Sequence, residues 1–146
     1  MKKRYKDLRR RQIQQNMAGL QALRDSHRPP GGWLRTIRQS LKLTLPELAK
    51  KLGITKSTLI GFELREADDS ITLAALKRVA EAMDCKLVYA IVPKTGTLDD
   101  IVEKKAHDKA TALVRAVDTT MSLEDQSVGR TEERIKEVAK RILEKS

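Results

Sequence analysis

The chain has 146 residues, 34% of them charged, with a formal net charge of +10 and only 3% aromatic residues. That length suits one modest domain with arms or two very small domains, with a core of Leu, Ile, Val and Ala. The balance suits a polyanionic partner, and Cys85, the only cysteine, excludes an internal disulfide and fits a reducing cytoplasm.

The charge is uneven. Residues 1–28 hold nine Lys and Arg against two acids, a net of +7; residues 33–94 hold eleven against seven, a net of +4; residues 98–146 hold ten against eleven, a net of −1. The front and middle therefore suit an anion and the tail does not. No apolar run approaches the roughly 20 residues of a membrane span, and no apolar stretch follows the basic start as a secretory leader would need.

Residues 1–28 are predicted to be a basic N-terminal helical arm. Ile13, Met17 and Leu20 recur at helical spacing, with Leu23 nearby. Arg28-Pro-Pro-Gly-Gly32 ends this pattern as a linker or sharp turn. A second helix is expected from Trp33 to about Leu41, with Leu34, Ile37 and Leu41 on one face. Thr44 and Glu47 have the spacing of a capping box, which opens a helix by satisfying two orphan amides reciprocally. Leu45, Leu48, Ala49 and Leu52 give that helix its inner face, and Gly53 is the expected stop. Thr55 caps the next helix, with Leu59 and Phe62 inward. Thr72 or Ser70 caps a further one through Met83.

Cys85 to Val92 is short, rich in β-branched and aromatic residues and ended by Pro93, which predicts a strand. Leu87, Tyr89 and Ile91 would share one face. A lone strand needs a partner, and pairing with a second copy across 84–94 would give a two-fold homodimer. The alternative is pairing within the chain. Residues 98–146 are expected to be a helical region, running from Leu98 to about Val117 and from Thr131 to Lys145. The predicted fold is mainly α: a five-helix core, one C-terminal β-strand used for dimerisation, and flanking helices at both ends.

Residues 33–83 carry the parts of a helix-turn-helix in order. Ala49 is small where two helices approach, Gly53 makes the turn, and Ile54 and Leu59 fill the angle. Thr55, Lys56, Ser57 and Thr58 then open the second helix with polar and basic groups suited to base edges. Gly61, one turn on, either lets that helix sit deep in a groove or packs closely against another helix.

The arrangement resembles the Cro/C1-type (Xre-like) helix-turn-helix family over roughly residues 33–83. Leu34, Ile37, Arg38, Leu45, Glu47, Leu48, Ala49, Leu52, Gly53, Ile54, Leu59, Phe62 and Glu63 carry it, with Leu73, Leu76, Ala80 and Met83. Where that family often has a phosphate-touching Gln after the capping Thr, this chain has Leu45-Pro46. Phosphate contact is therefore assigned to Arg35, Arg38, Lys42 and Thr44, with Arg9, Arg10 and Arg11 of the basic arm.

A narrower likeness rests on Gly32-Trp-Leu-Arg-Thr-Ile-Arg38, Ile71-Thr-Leu73, Cys85-Lys-Leu-Val-Tyr-Ala-Ile-Val-Pro93 and Met121-Ser-Leu-Glu-Asp-Gln126. These segments resemble the family called mobile mystery protein A, whose members are bacterial and commonly paired with a Fic-domain protein. That likeness implies an antitoxin-like regulator, an autorepressor of a two-gene operon, and the expected two-fold dimer is what a palindromic operator in double-stranded DNA requires. The likeness also implies a Fic-domain toxin as partner. Thr120-Met-Ser-Leu-Glu124 follows five places of the inhibitory Fic motif, with Glu124 as the inhibitory carboxylate; Asp125 departs from the sixth.

An enzyme is not expected. His27 and His107 stand apart, no metal spacing appears, and neither a phosphate loop nor a nucleophile elbow is present, so no cofactor is called for. The rival reading is a protein-binding antitoxin that inhibits a Fic-domain toxin mainly through its C-terminal helices.

Overall fold

The computed structural model describes residues 2–120 and 128–146. They form α1 Lys2–Gln21, α2 Trp33–Ser40, α3 Leu45–Leu52, α4 Lys56–Ala67, α5 Leu73–Ala82, α6 Leu98–Thr120 and α7 Val128–Lys145. Two compact units result. Asp25–Ala90 is one, and the other joins the N-terminal segment up to Arg24 to the chain from Ile91 onward.

In the Asp25–Ala90 unit, α2 to α5 surround one apolar core. Leu34, Leu48, Ala49, Leu52, Leu59, Val79 and Met83 are buried there, with Ile37, Ile54, Phe62, Ile71 and Leu76 packed around them. Leu48, Leu59 and Val79 are fully enclosed. Each such side chain stabilises the fold by about 1.5–3 kcal/mol relative to exposure.

The helix boundaries follow local chemistry. The Thr44 hydroxyl accepts from the Glu47 amide at 3.3 Å, and the Glu47 carboxylate accepts from the Thr44 amide at 2.7 Å, so both halves of the expected capping box are present. Gly53 ends α3 in the left-handed region at φ 66°, where a β-carbon would be strained. Thr55 caps α4 through the Thr58 amide. Of the two candidates for α5 it is Thr72 that caps, accepting from the Ala75 amide at 3.1 Å.

α2 has no local side-chain cap. Its first amides are satisfied from α4 instead: the buried Glu66 carboxylate accepts from Trp33 and Leu34, each at 2.8 Å. Gly32 makes this approach possible, because it adopts φ 92° and a β-carbon there would stand 2.6 Å from Glu66 Oε2. One turn earlier on α4, Glu63 holds Arg38 by a two-pronged ion pair at 2.5 and 3.2 Å, both side chains buried. Arg28 donates to the Glu66 and Ala67 carbonyls at 2.7 and 2.8 Å and to Asp69, tying the linker to the end of α4. Arg78 of α5 donates to the Leu52 carbonyl at 2.7 Å, at the end of α3.

The fold differs from expectation in two ways. The core unit has four helices, not five. Residues 85–92 take no regular secondary structure, and there is no strand among the described residues. β-Branched composition gives a segment its local preference, but a strand exists only through ladder hydrogen bonds to a neighbour. No described segment supplies that neighbour, and Val88, Tyr89 and Ile91 stand 64%, 69% and 89% exposed. The expected dimerisation strand is therefore corrected to a segment without regular secondary structure.

In the second unit, α6 and α7 pack through Ala110, Val114, Ile135 and Ala139, with Val138 and Ile142 alongside. The alanines allow close approach. α1 joins this unit through Arg10, which donates to Asp99 at 2.6 Å, and just beyond the helix Arg24 donates to the Gly96 carbonyl at 3.0 Å. No α1 residue is buried, so the expected stripe of Ile13, Met17 and Leu20 makes no core.

Candidate nucleic-acid interface

The helix-turn-helix of the Asp25–Ala90 unit is α3, the turn at Gly53 and α4. Leu59 is fully buried from the inner side of α4, with Ile54 and Phe62 packed against the same core. Together with Glu63 and Glu66, which face inward to hold α2, this fixes the rotation of α4 about its axis. Its opposite side is consequently turned to solvent.

Thr55, Lys56, Ser57 and Thr58 are all exposed at the start of α4. The Thr55 and Thr58 hydroxyls lie 2.8 Å apart, and one donates to the other. That leaves one of the two O–H groups available to an outside acceptor. Helix N-termini also present free amides and a positive dipole end, which suit phosphate. Gly61 follows one turn later on the same side and is half-buried. The three atoms nearest the point where a β-carbon on Gly61 would stand all belong to the Arg65 guanidinium, at 3.7 to 3.9 Å. What lies nearest to Gly61 is therefore a side chain of its own helix, at ordinary van der Waals distance.

The residues assigned to phosphate fall into three groups. Arg35 and Lys42 are exposed on the Asp25–Ala90 unit, and Thr44, though its oxygen accepts from Glu47, keeps its own hydroxyl hydrogen to donate. Arg38 is instead buried and spent on Glu63, with a further donation to the Leu43 carbonyl at 3.1 Å; burial of a guanidinium requires such a partner. Arg9 and Arg11 are exposed on α1, in the other unit, whereas Arg10 is held between Asp7 and Asp99.

The Glu47 carboxyl titrates below the ordinary glutamate value, chiefly because the Thr44 amide hydrogen-bonds to it, helped by the Thr44 hydroxyl. Of the residues assigned to dimerisation, Leu87 is half-buried while Tyr89 and Ile91 are exposed. Glu124 lies outside the described residues. Among the described residues no group of three or more His, Cys, Asp or Glu side chains is placed to hold a metal ion, and no described helix is long and apolar enough to cross a membrane.

Arg65 and Glu66 were missed in the sequence, yet each carried a signal. Arg65 stands four places beyond Gly61, hence on the same helix face. Glu66 follows Glu63 at helical spacing on the side where Leu59 and Phe62 point inward, and a carboxylate on a buried stripe demands donors.

No curated protein and no solved structure matches the chain. Residues 34–89 match the helix-turn-helix family model. The match spans all four helices of the core unit save the first residue of α2, and it stops before the C-terminal helices. Residues 34–89 are thus a helix-turn-helix domain of the Cro/C1 type, the type found in DNA-binding regulators.

Proposed function

We propose that the protein is a sequence-specific transcriptional regulator that inserts the start of α4 into a major groove and represses its own operon. The observation that carries this is the exposure of Thr55, Lys56, Ser57 and Thr58 together on a helix whose other side is locked into the core. Lys56 is chemically suited to guanine O6 and N7, the hydroxyls to base edges or phosphates, and the Thr methyls to thymine. Arg35, Lys42 and Thr44 supply phosphate contacts that set the register.

The protein acts as a homodimer on a palindromic operator, since each domain of this kind reads one half-site and two-fold symmetry pairs them. Leu87, Tyr89 and Ile91 are the side chains a second copy would cover. The antitoxin role and the Fic-domain partner follow only from the likeness to mobile mystery protein A. No described residue adds to either, and the geometry favours the regulator.

Selection of binding sites from random duplexes tests the reading. The expected result is a two-fold symmetric consensus, with half-sites about 10 base pairs apart centre to centre. Retardation of random and promoter DNA with equal affinity at every salt concentration would refute it. Sedimentation of the free and DNA-bound protein as a monomer at micromolar concentration would refute the dimer.

A further inference from the structure

We infer that Arg65 is a base-reading residue that works through the space left by Gly61. The inference rests on the DNA-reading role proposed above and adds a reader beyond the first turn of α4.

Three observations meet at this point. First, the Arg65 side chain folds back over Gly61: both terminal nitrogens lie 3.7 Å, and Cζ 3.9 Å, from where a β-carbon on Gly61 would stand. Helical side chains lean toward the N-terminus, so a long residue covers the position one turn before its own. Second, Arg65 Cζ lies 5.2 Å from the centroid of the Phe62 ring. This cation–π contact engages the guanidinium without occupying its donors. Third, the Arg65 carbonyl accepts from the Ser70 and Ile71 amides, but no hydrogen bond or ion pair engages its guanidinium among the described residues. Arg38 is bound to Glu63, Arg28 to carbonyls and Asp69, and Arg78 to Leu52.

The geometry along α4 decides what this group can reach. Residues 57, 61 and 65 fall on one line of a helix, opposite Leu59, Glu63 and Glu66. Ser57 and Arg65 are both exposed on that line. A residue with a side chain at 61 would meet the groove floor directly. With glycine there, the guanidinium of Arg65 fills the gap and presents its fork at that place. A planar fork matches guanine O6 and N7 in two parallel bonds, which an ammonium cannot form.

The test compares wild-type, Arg65→Ala, Arg65→Lys and Gly61→Leu proteins in site selection and in salt-dependent affinity measurements, with circular dichroism as a check on folding. The expected result for Arg65→Ala is about tenfold lower affinity for the wild-type consensus and a lost guanine preference at one position per half-site. Arg65→Lys should not restore that preference. Gly61→Leu, with Arg65 intact, should lose it too, because the leucine side chain takes the guanidinium's place.

An Arg65→Ala protein that selects the wild-type consensus with undiminished affinity overturns the inference. So does Arg65→Lys with full affinity and consensus, which would make Arg65 a phosphate contact. Gly61→Leu retaining the guanine preference overturns the dependence on Gly61. A wild-type protein that selects no consensus at all removes the DNA-reading role itself, and this inference with it.

Discussion

The Glu66 carboxylate on α4 accepts the backbone amide of Trp33 at the first position of α2, 33 residues earlier in the chain, at 2.8 Å. The Leu34 amide donates to the other oxygen of the same carboxylate. α2, which begins at a glycine with no capping side chain, is therefore completed only when α4 is in place. A negative charge at a helix start is additionally favoured by the helix dipole.

Removal of this carboxylate should deprive two amides of their acceptor, that of Leu34 buried and that of Trp33 partly buried. Glu66→Gln keeps the shape but turns an NH2 group toward one of them. A loss of about 1–3 kcal/mol is expected for either Glu66→Gln or Glu66→Ala, read from urea unfolding followed by circular dichroism. An unchanged urea midpoint would mean that water or another group caps α2.

Arg38 and Glu63 lend themselves to a double-mutant cycle. Arg38→Met strands the Glu63 carboxylate in the core, and Glu63→Leu strands the guanidinium; each should cost about 3–5 kcal/mol. The double variant should be more stable than either single one, because neither charge is left alone. It should also bind DNA as the wild type does, since a guanidinium occupied by Glu63 is not a phosphate contact. A double variant with weakened DNA binding and a shallower salt dependence would return Arg38 to the interface.

The capping box predicts a pH dependence with a definite sign. The folded value of Glu47 lies below its ordinary 4.5, so its contribution is fully present above pH 4.5. That contribution is lost as pH falls below 4.5 through the lowered folded value. Thr44→Ala should lower stability by about 1 kcal/mol near neutrality through the lost cap. It should also flatten the acid limb of stability between about pH 3 and 5, the range in which an ordinary glutamate titrates. Parallel pH profiles for the two proteins would show that the box carries none of the acid sensitivity.

The parts of the fold fixed by neighbours in sequence were legible. Thr44, Glu47 and Gly53 act within one or two turns, and the apolar spacing of Leu48, Leu52, Leu59 and Val79 marks the core directly. Arrangements that depend on distant residues were not. Arg38 has the composition of a phosphate contact, and only the position of Glu63, 25 residues on, turns it inward. Residues 85–92 have strand composition, but a strand is a property of two segments and the sequence displays only one. Likewise, Ile13, Met17 and Leu20 form an apolar stripe whose burial depends on a surface supplied by other elements, and none of the three is buried.

The basic helix α1 separates by partner. Arg10 is bound to Asp7 and Asp99, while Arg9 and Arg11 are exposed. If α1 follows phosphates, replacing Arg9 and Arg11 with Ala should reduce the slope of log affinity against log salt by about 1.8. Arg10→Ala should leave that slope unchanged and alter stability by no more than about 1 kcal/mol, as expected of a partly exposed pair. Equal slopes for the wild type and the Arg9/Arg11 double variant would place α1 off the DNA.

Lys56 and Ser57 open α4 side by side, and their substitution distinguishes reading from anchoring. Lys56→Ala should lower affinity for the selected consensus by about 1–3 kcal/mol and relax the preference at one base pair per half-site, if the ammonium meets guanine. The same substitution at a phosphate would weaken all sequences alike and reduce the salt slope by about one. Ser57→Ala carries no charge, so its effect on the salt slope should be nil and its whole effect should appear as altered base preference. Because neither side chain contributes to the core, both variants should unfold at the wild-type temperature within the roughly 0.5 kcal/mol typical of surface changes. An affinity loss in step with a loss of stability would instead assign the start of α4 to the fold.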